Sequence, residues 1–155
     1  MENAGRIRDA VDAIKGAEAN NLHVYSVYAD ITEHFGLRRL LLSVVEQIAD
    51  HLEEWKSLVG THFPEELFDV DEVRLTQIRA LELPRMFDAD MAYHDFLQML
   101  LGRERAIAAM YRILAAAAVH SESRALCARL ESNSVRTMEM ARDRYELEVL
   151  MDEMA

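Results

Sequence analysis

Apolar and polar positions in the first stretch of the chain follow a single seam. It runs Ile7, Val11, Ile14, then Glu18, Asn21, Tyr25, Tyr28, Thr32 and Phe35. The steps alternate between four and three residues, which keeps one face of a helix turned toward a partner. Gly36 comes next, and glycine is the usual residue at a left-handed helix stop. A second seam continues through Leu37, Leu41, Val44, Ile48, His51, Trp55 and Leu58. Together they predict a helical hairpin with helices over about 5–35 and 37–59. Tyr93, Leu97, Leu100, Glu104, Ile107, Tyr111, Leu114 and Ala118 repeat the alternation, as do Leu126, Leu130 and Ala141. These predict a second hairpin with helices over about 91–119 and 122–151.

Residues 60–90 read differently. Gly60, Pro64 and Pro84 punctuate them, the acids of PEELFDVDE form no long seam, and one short helical stretch is expected near 71–82. A connection of this length suits a crossover along the height of a bundle, leaving helices two and three parallel. The expected fold is all-α: one domain over 1–155, an antiparallel four-helix bundle of two hairpins.

The hairpins share a register. Glu18 stands seven residues before Tyr25 and Glu104 seven before Tyr111, with one offset between the pairs (104 − 18 = 111 − 25 = 86). The same offset carries Val44 onto Leu130 and Trp55 onto Ala141. An ungapped offset across both helices is the signature of an internal duplication.

Composition narrows the functional classes. Twenty-eight acids against 17 bases give a formal net charge of −11, with no basic stripe for nucleic acid. The single cysteine, Cys127, excludes an intramolecular disulfide and a Cys-x-x-Cys metal knuckle, and reads as a small buried hydrophobe. The N-terminal stretch has no apolar signal core, and ILAAAAV at 113–119 is too short to span a bilayer. A cytoplasmic protein without membrane or nucleic-acid partners is expected. Met110, Met138 and Met140 are expected as core-filling or tail residues rather than haem ligands.

The candidate chemistry lies in the polar residues of the seams. Seam positions are normally apolar, because burying an unpaired carboxylate costs several kcal/mol or shifts its pKa. Glu18, His51 and Glu104 occupy such positions, and facing helices would bring them together near mid-bundle. One divalent ion could neutralise both carboxylates there. Carboxylates with imidazole suit iron, zinc or manganese, and three protein ligands leave positions open for water or dioxygen.

With the doubled Glu-x6-Tyr pattern and IADHLEEW at 48–55, the chain resembles the rubrerythrin-like branch of the ferritin-like superfamily over roughly 5–59 and 92–150. That family places a Glu on the first helix of each hairpin and Glu-x-x-His on the second. The resemblance implies Glu18, His51 and Glu104 as metal ligands, iron as the metal, and chemistry with dioxygen or peroxide or a role in iron handling. It further implies Tyr25 and Tyr111 as phenols beside the metal, and a homodimer. The chain departs from the pattern at Ile48, Ser134 and Thr137, where the family has a Glu, a Glu and a His, so the two-metal site is partly lost. Glu46 and Asp50 could replace a missing carboxylate only if the second helix were rotated or bulged. One cysteine cannot build the four-cysteine iron centre of a complete rubrerythrin, so a separate electron donor is implied. The alternative is a metal-free bundle that works through protein association, in which a buried Glu pairs with a His or Arg, His51 is a satisfied core histidine and both tyrosines are ordinary core aromatics.

Overall fold

A computed structural model describes residues 2–81 and 87–154. Among these residues the chain is all-helical and without strands. The helices are α1 (Glu2–Ile31), α2 (Phe35–Thr61), α3 (Pro64–Leu67), α4 (Glu72–Ala80), α5 (Tyr93–Ala116) and α6 (Ser121–Met154). The expected turn at Pro84 lies outside the described residues. No helix among them is long and apolar enough to cross a membrane.

The seams became the buried faces. On α1 each seam residue from Ile7 to Tyr28 is buried, as is Thr32 just beyond it, and on α2 all from Leu37 to Leu58 are. Phe35, by contrast, is 69% exposed, because α1 has ended four residues earlier. Packing joins α1 to α2 and α5 to α6, while α1 also meets α3, α4 and α5. Tyr28 at the end of α1 donates its hydroxyl to Met91 O and stacks on Phe96 at the start of α5. Both α2 and α5 therefore begin beside the C-terminal end of α1 and run in the same direction.

The connection between them is tied down at the opposite end. Phe68 and Ala118 form an isolated antiparallel bridge; Asp69 N–H donates to Ala117 O and Val119 N–H to Leu67 O. Arg6 Nε donates to Val70 O, which fastens the same strap to α1. Asp71 caps α4 by accepting from Arg74 N–H at 2.8 Å, so the helix expected near 71–82 begins where its capping residue stands.

One boundary needs correction. Gly36 is no left-handed stop: no glycine has positive φ, and Gly36 sits inside the first turn of α2. The break falls instead at residues 32–34. What Gly36 provides is room, since a Cβ there would lie 2.7 Å from the Arg144 guanidinium of α6. That group is the mobile tip of a long side chain and can give way. Gly36→Ala is therefore expected to hold stability or raise it by up to ~0.4–1 kcal/mol, as alanine does at a helix-compatible position. A left-handed glycine would instead lose stability on this change, and urea denaturation separates the two outcomes.

Candidate functional site

The core of the helices is split in two. One apolar cluster gathers Ile7, Ile14, Trp55, Ile107 and Tyr111, and the other Tyr25, Leu37, Ile48, Phe96 and Leu100. Between them lies a buried polar layer: Glu18 and Asn21 from α1, His51 from α2, Arg103 and Glu104 from α5, Ser134 and Thr137 from α6. Tyr111 flanks the layer on one side and Tyr25 on the other.

Glu18 and His51 meet directly. His51 Nδ1–H donates to Glu18 Oε2 at 2.7 Å, with both side chains almost fully buried. The same oxygen accepts from the Tyr111 hydroxyl at 3.0 Å, and Tyr111 accepts from Trp55 Nε1–H at 3.2 Å. On the far side of the imidazole, Asn133 Nδ2 lies 3.0 Å from Nε2 and donates to it. The result is one chain of hydrogen bonds, Trp55–Tyr111–Glu18–His51–Asn133, drawing on α1, α2, α5 and α6. Hydrogen bonds to a charged acceptor contribute about 1.5–3 kcal/mol each, which offsets much of the cost of burying Glu18.

Glu104 has no such partner. Burial first, and the charge of Glu18 second, push its carboxyl up to about 8. The Ser134 and Tyr25 hydroxyls flank it and temper that rise, yet neither reaches it in hydrogen-bond geometry. Burial and the nearby charge of Glu18 both favour the neutral carboxyl, so Glu104 holds a proton around neutral pH. Glu18 Oε1, Glu104 Oε1, the Tyr25 hydroxyl and Ser134 Oγ are all buried without a hydrogen-bond partner. Such orphans in one layer are unusual for a native interior and mark a place where an ion or water belongs. Burial, with the neighbouring carboxyls, raises both Tyr25 and Tyr111 well above the usual phenol value, so both act as neutral hydroxyls.

The structure thus brings Glu18, His51 and Tyr111 into contact, and sets Glu104 and Tyr25 in the same layer. Ile48 is buried in the apolar cluster; Thr137 accepts from Gln47 and donates to Asn133 O. Glu46 and Asp50 stay exposed on α2, whose helix runs without a bulge and does not turn them inward. The sequence reading missed Asn133, the partner of His51, which stands outside the α6 seam. It also missed Arg103, whose buried guanidinium donates to Asn20 Oδ1 and Asn21 Oδ1. Asn21, a polar residue on the α1 seam, was the available signal for that pair. No protein-family model, curated protein or solved structure matches the chain.

The proton on Glu104 has a thermodynamic consequence. The folded group titrates near 8, the unfolded one near 4.5. Between those values the native state binds the extra proton, so stability falls as pH rises. The contribution is complete below the unfolded value and gone above the folded one. Unfolding free energy is expected to decline from pH 5 to pH 8.5, and Glu104→Gln to flatten that slope. A wild-type slope no steeper than the variant's would mean Glu104 is ionised throughout.

Proposed function

We propose that the protein is a ferritin-like four-helix bundle whose interior binds a single divalent metal ion. Glu18, Glu104 and His51 hold it, and iron is the metal implied by the rubrerythrin-like resemblance. The observation that supports this reading is the pair of unpartnered buried oxygens, Glu18 Oε1 and Glu104 Oε1, facing a shared excess of negative charge. Two carboxylate oxygens and an imidazole nitrogen form a donor set suited to iron, zinc or manganese. The fit is complete for the oxygens only. Among the described residues no group of three or more His, Cys, Asp or Glu side chains is arranged to hold a metal ion, and His51 Nδ1 is bonded to Glu18. For His51 to ligate through Nδ1, its proton would have to move to Nε2, with the Asn133 amide turned so that Oδ1 accepts it. Ile48, Ser134 and Thr137 offer nothing to a second metal beyond two hydroxyls, so a two-metal centre does not fit.

Bound iron would supply redox chemistry toward dioxygen or peroxide. The chain's own part is to bind and to manage protons. Glu104 would release its proton to solvent when a cation takes its place, Tyr111 steadies Glu18, and the apolar clusters line the layer on both sides. Tyr25 stands beside Glu104 as a neutral hydroxyl. Electrons come from a separate donor, and the setting is cytoplasmic. Elemental analysis of protein prepared without an affinity tag is expected to show about one metal per chain, lost in His51→Ala. Affinity is expected to rise with pH as Glu104 loses its proton. Metal-free protein after anaerobic loading, with a melting temperature indifferent to chelator, would sink the reading.

A second reading, a metal-free bundle acting through association, is favoured by one surface. Leu147, Leu150, Met151 and Met154 recur at three- and four-residue steps along α6 and are all about half exposed or more (46, 52, 55 and 79%). Such a stripe is the usual helix face for a partner helix, and a second copy of this chain is the partner we propose. Leu150→Glu with Met151→Glu is expected to convert a dimer to monomer in sedimentation equilibrium while leaving helicity unchanged. A wild-type monomer at high concentration would overturn the assignment.

A further inference from the structure

His51 is buried, yet it is not sealed. A cleft of about 370 Å³ runs between α2 and α6, and its inner wall is His51 and Asn133. On the α2 side Glu46, Asp50 and Glu54 stand one helical turn apart; on the α6 side stand Arg129 and Arg136. Arg129 binds Glu54 at 2.6 Å, which closes one end of the cleft and leaves Glu46 and Asp50 along the rest of the wall. The Asn133 amide, on the same wall, lies 3.0 Å from His51 Nε2.

We propose that this cleft is the route by which small hydrated solutes reach the buried Glu18–His51 pair, with Asn133 as its inner gate and as the positioning residue for His51. The choice of a divalent cation as the solute rests on the function proposed above; the route itself does not. Two consequences follow from the hydrogen bonding. Asn133 occupies the Nε2 lone pair, which obliges the proton to sit on Nδ1, where Glu18 takes it. While Asn133 holds that bond, the Nε2 lone pair is occupied; once the amide turns aside, Nε2 is open to the cleft. The acidic wall formed by Glu46 and Asp50 favours cations at the mouth, and Arg136 opposite limits how far that preference extends.

The test reads the route without any metal. Diethyl pyrocarbonate acylates an unprotonated imidazole nitrogen, and peptide mapping resolves His51 from the other five histidines. In wild-type protein His51 is expected to react slowly. Asn133→Ala, which frees Nε2 and widens the gate, is expected to speed that reaction several-fold with His23 unchanged. Ser43→Trp, which lays an indole across the cleft, is expected to slow it. Long-range imidazole nitrogen-15 spectra should show the Nδ1–H tautomer in wild type. Equal His51 reactivity in wild type and Asn133→Ala would overturn the proposal, as would an Nε2–H tautomer in wild type; circular dichroism checks that each variant is folded. Cobalt(II) uptake then follows the same order, fastest in Asn133→Ala and slowest in Ser43→Trp. If no variant takes up cobalt while the reagent still obeys that order, the metal reading falls and the route stands. If cobalt binds but its rate ignores both substitutions, the route falls and the metal reading stands.

Discussion

Everything at the centre of this bundle depends on how one buried negative charge is compensated. Glu18 is almost inaccessible, and a carboxylate in that position is tolerated only with partners at close range. His51 and Tyr111 both converge on a single oxygen of it, and Trp55 and Asn133 hold those two in turn. Replacing any inner member of the chain would strand a buried polar group on another helix. The network acts as a clasp across α1, α2, α5 and α6 at the level where the apolar core is interrupted.

The offset between the two halves explains why the layer is lopsided. Glu18 and Glu104 correspond, and so do Tyr25 and Tyr111. Counting 86 onward from His51 arrives at Thr137 (51 + 86 = 137). Glu18 thus has an imidazole at hand, whereas the corresponding position on α6 carries a threonine whose hydroxyl is engaged with Gln47 and the backbone of Asn133. A threonine cannot carry positive charge, so Glu104 is left with a proton as its only compensation. Burial, and then the charge of Glu18, raise the Glu104 carboxyl, and no imidazole on α6 stands at the matching position to offset that.

Much of this was legible in the chain. A four-three alternation interrupted by Glu18, His51 and Glu104 identifies both the buried faces and the polar layer, since burial of those faces is what the pattern encodes. The helix boundaries were less legible. Gly36 reads as a stop because glycine commonly ends helices, but here it answers to packing: Arg144, more than a hundred residues away, needs the space. Asn133 was invisible for a related reason. It lies off its helix's apolar seam, and its importance comes only from the ring it faces across the α2–α6 cleft. Local pattern reports what a residue does for its own helix. Contacts set by tertiary approach are outside its reach.

The orphaned oxygens sharpen what kind of occupant the layer can accept. A proton on Glu104 neutralises the excess charge, but it leaves Glu104 Oε1, Glu18 Oε1 and Ser134 Oγ still without partners. A cation shared by the two free oxygens would remove the charge and satisfy both acceptors at once, at the cost of displacing that proton. Hydroxyls such as Ser134 and Tyr25 would then accept or donate to whatever water completes its shell. On the proposed function the two states would compete for one site, and the Glu18–His51 bond would govern which of them is accessible. While that bond holds, the layer offers two oxygens and no nitrogen; only when His51 yields Nδ1 does a third donor join them.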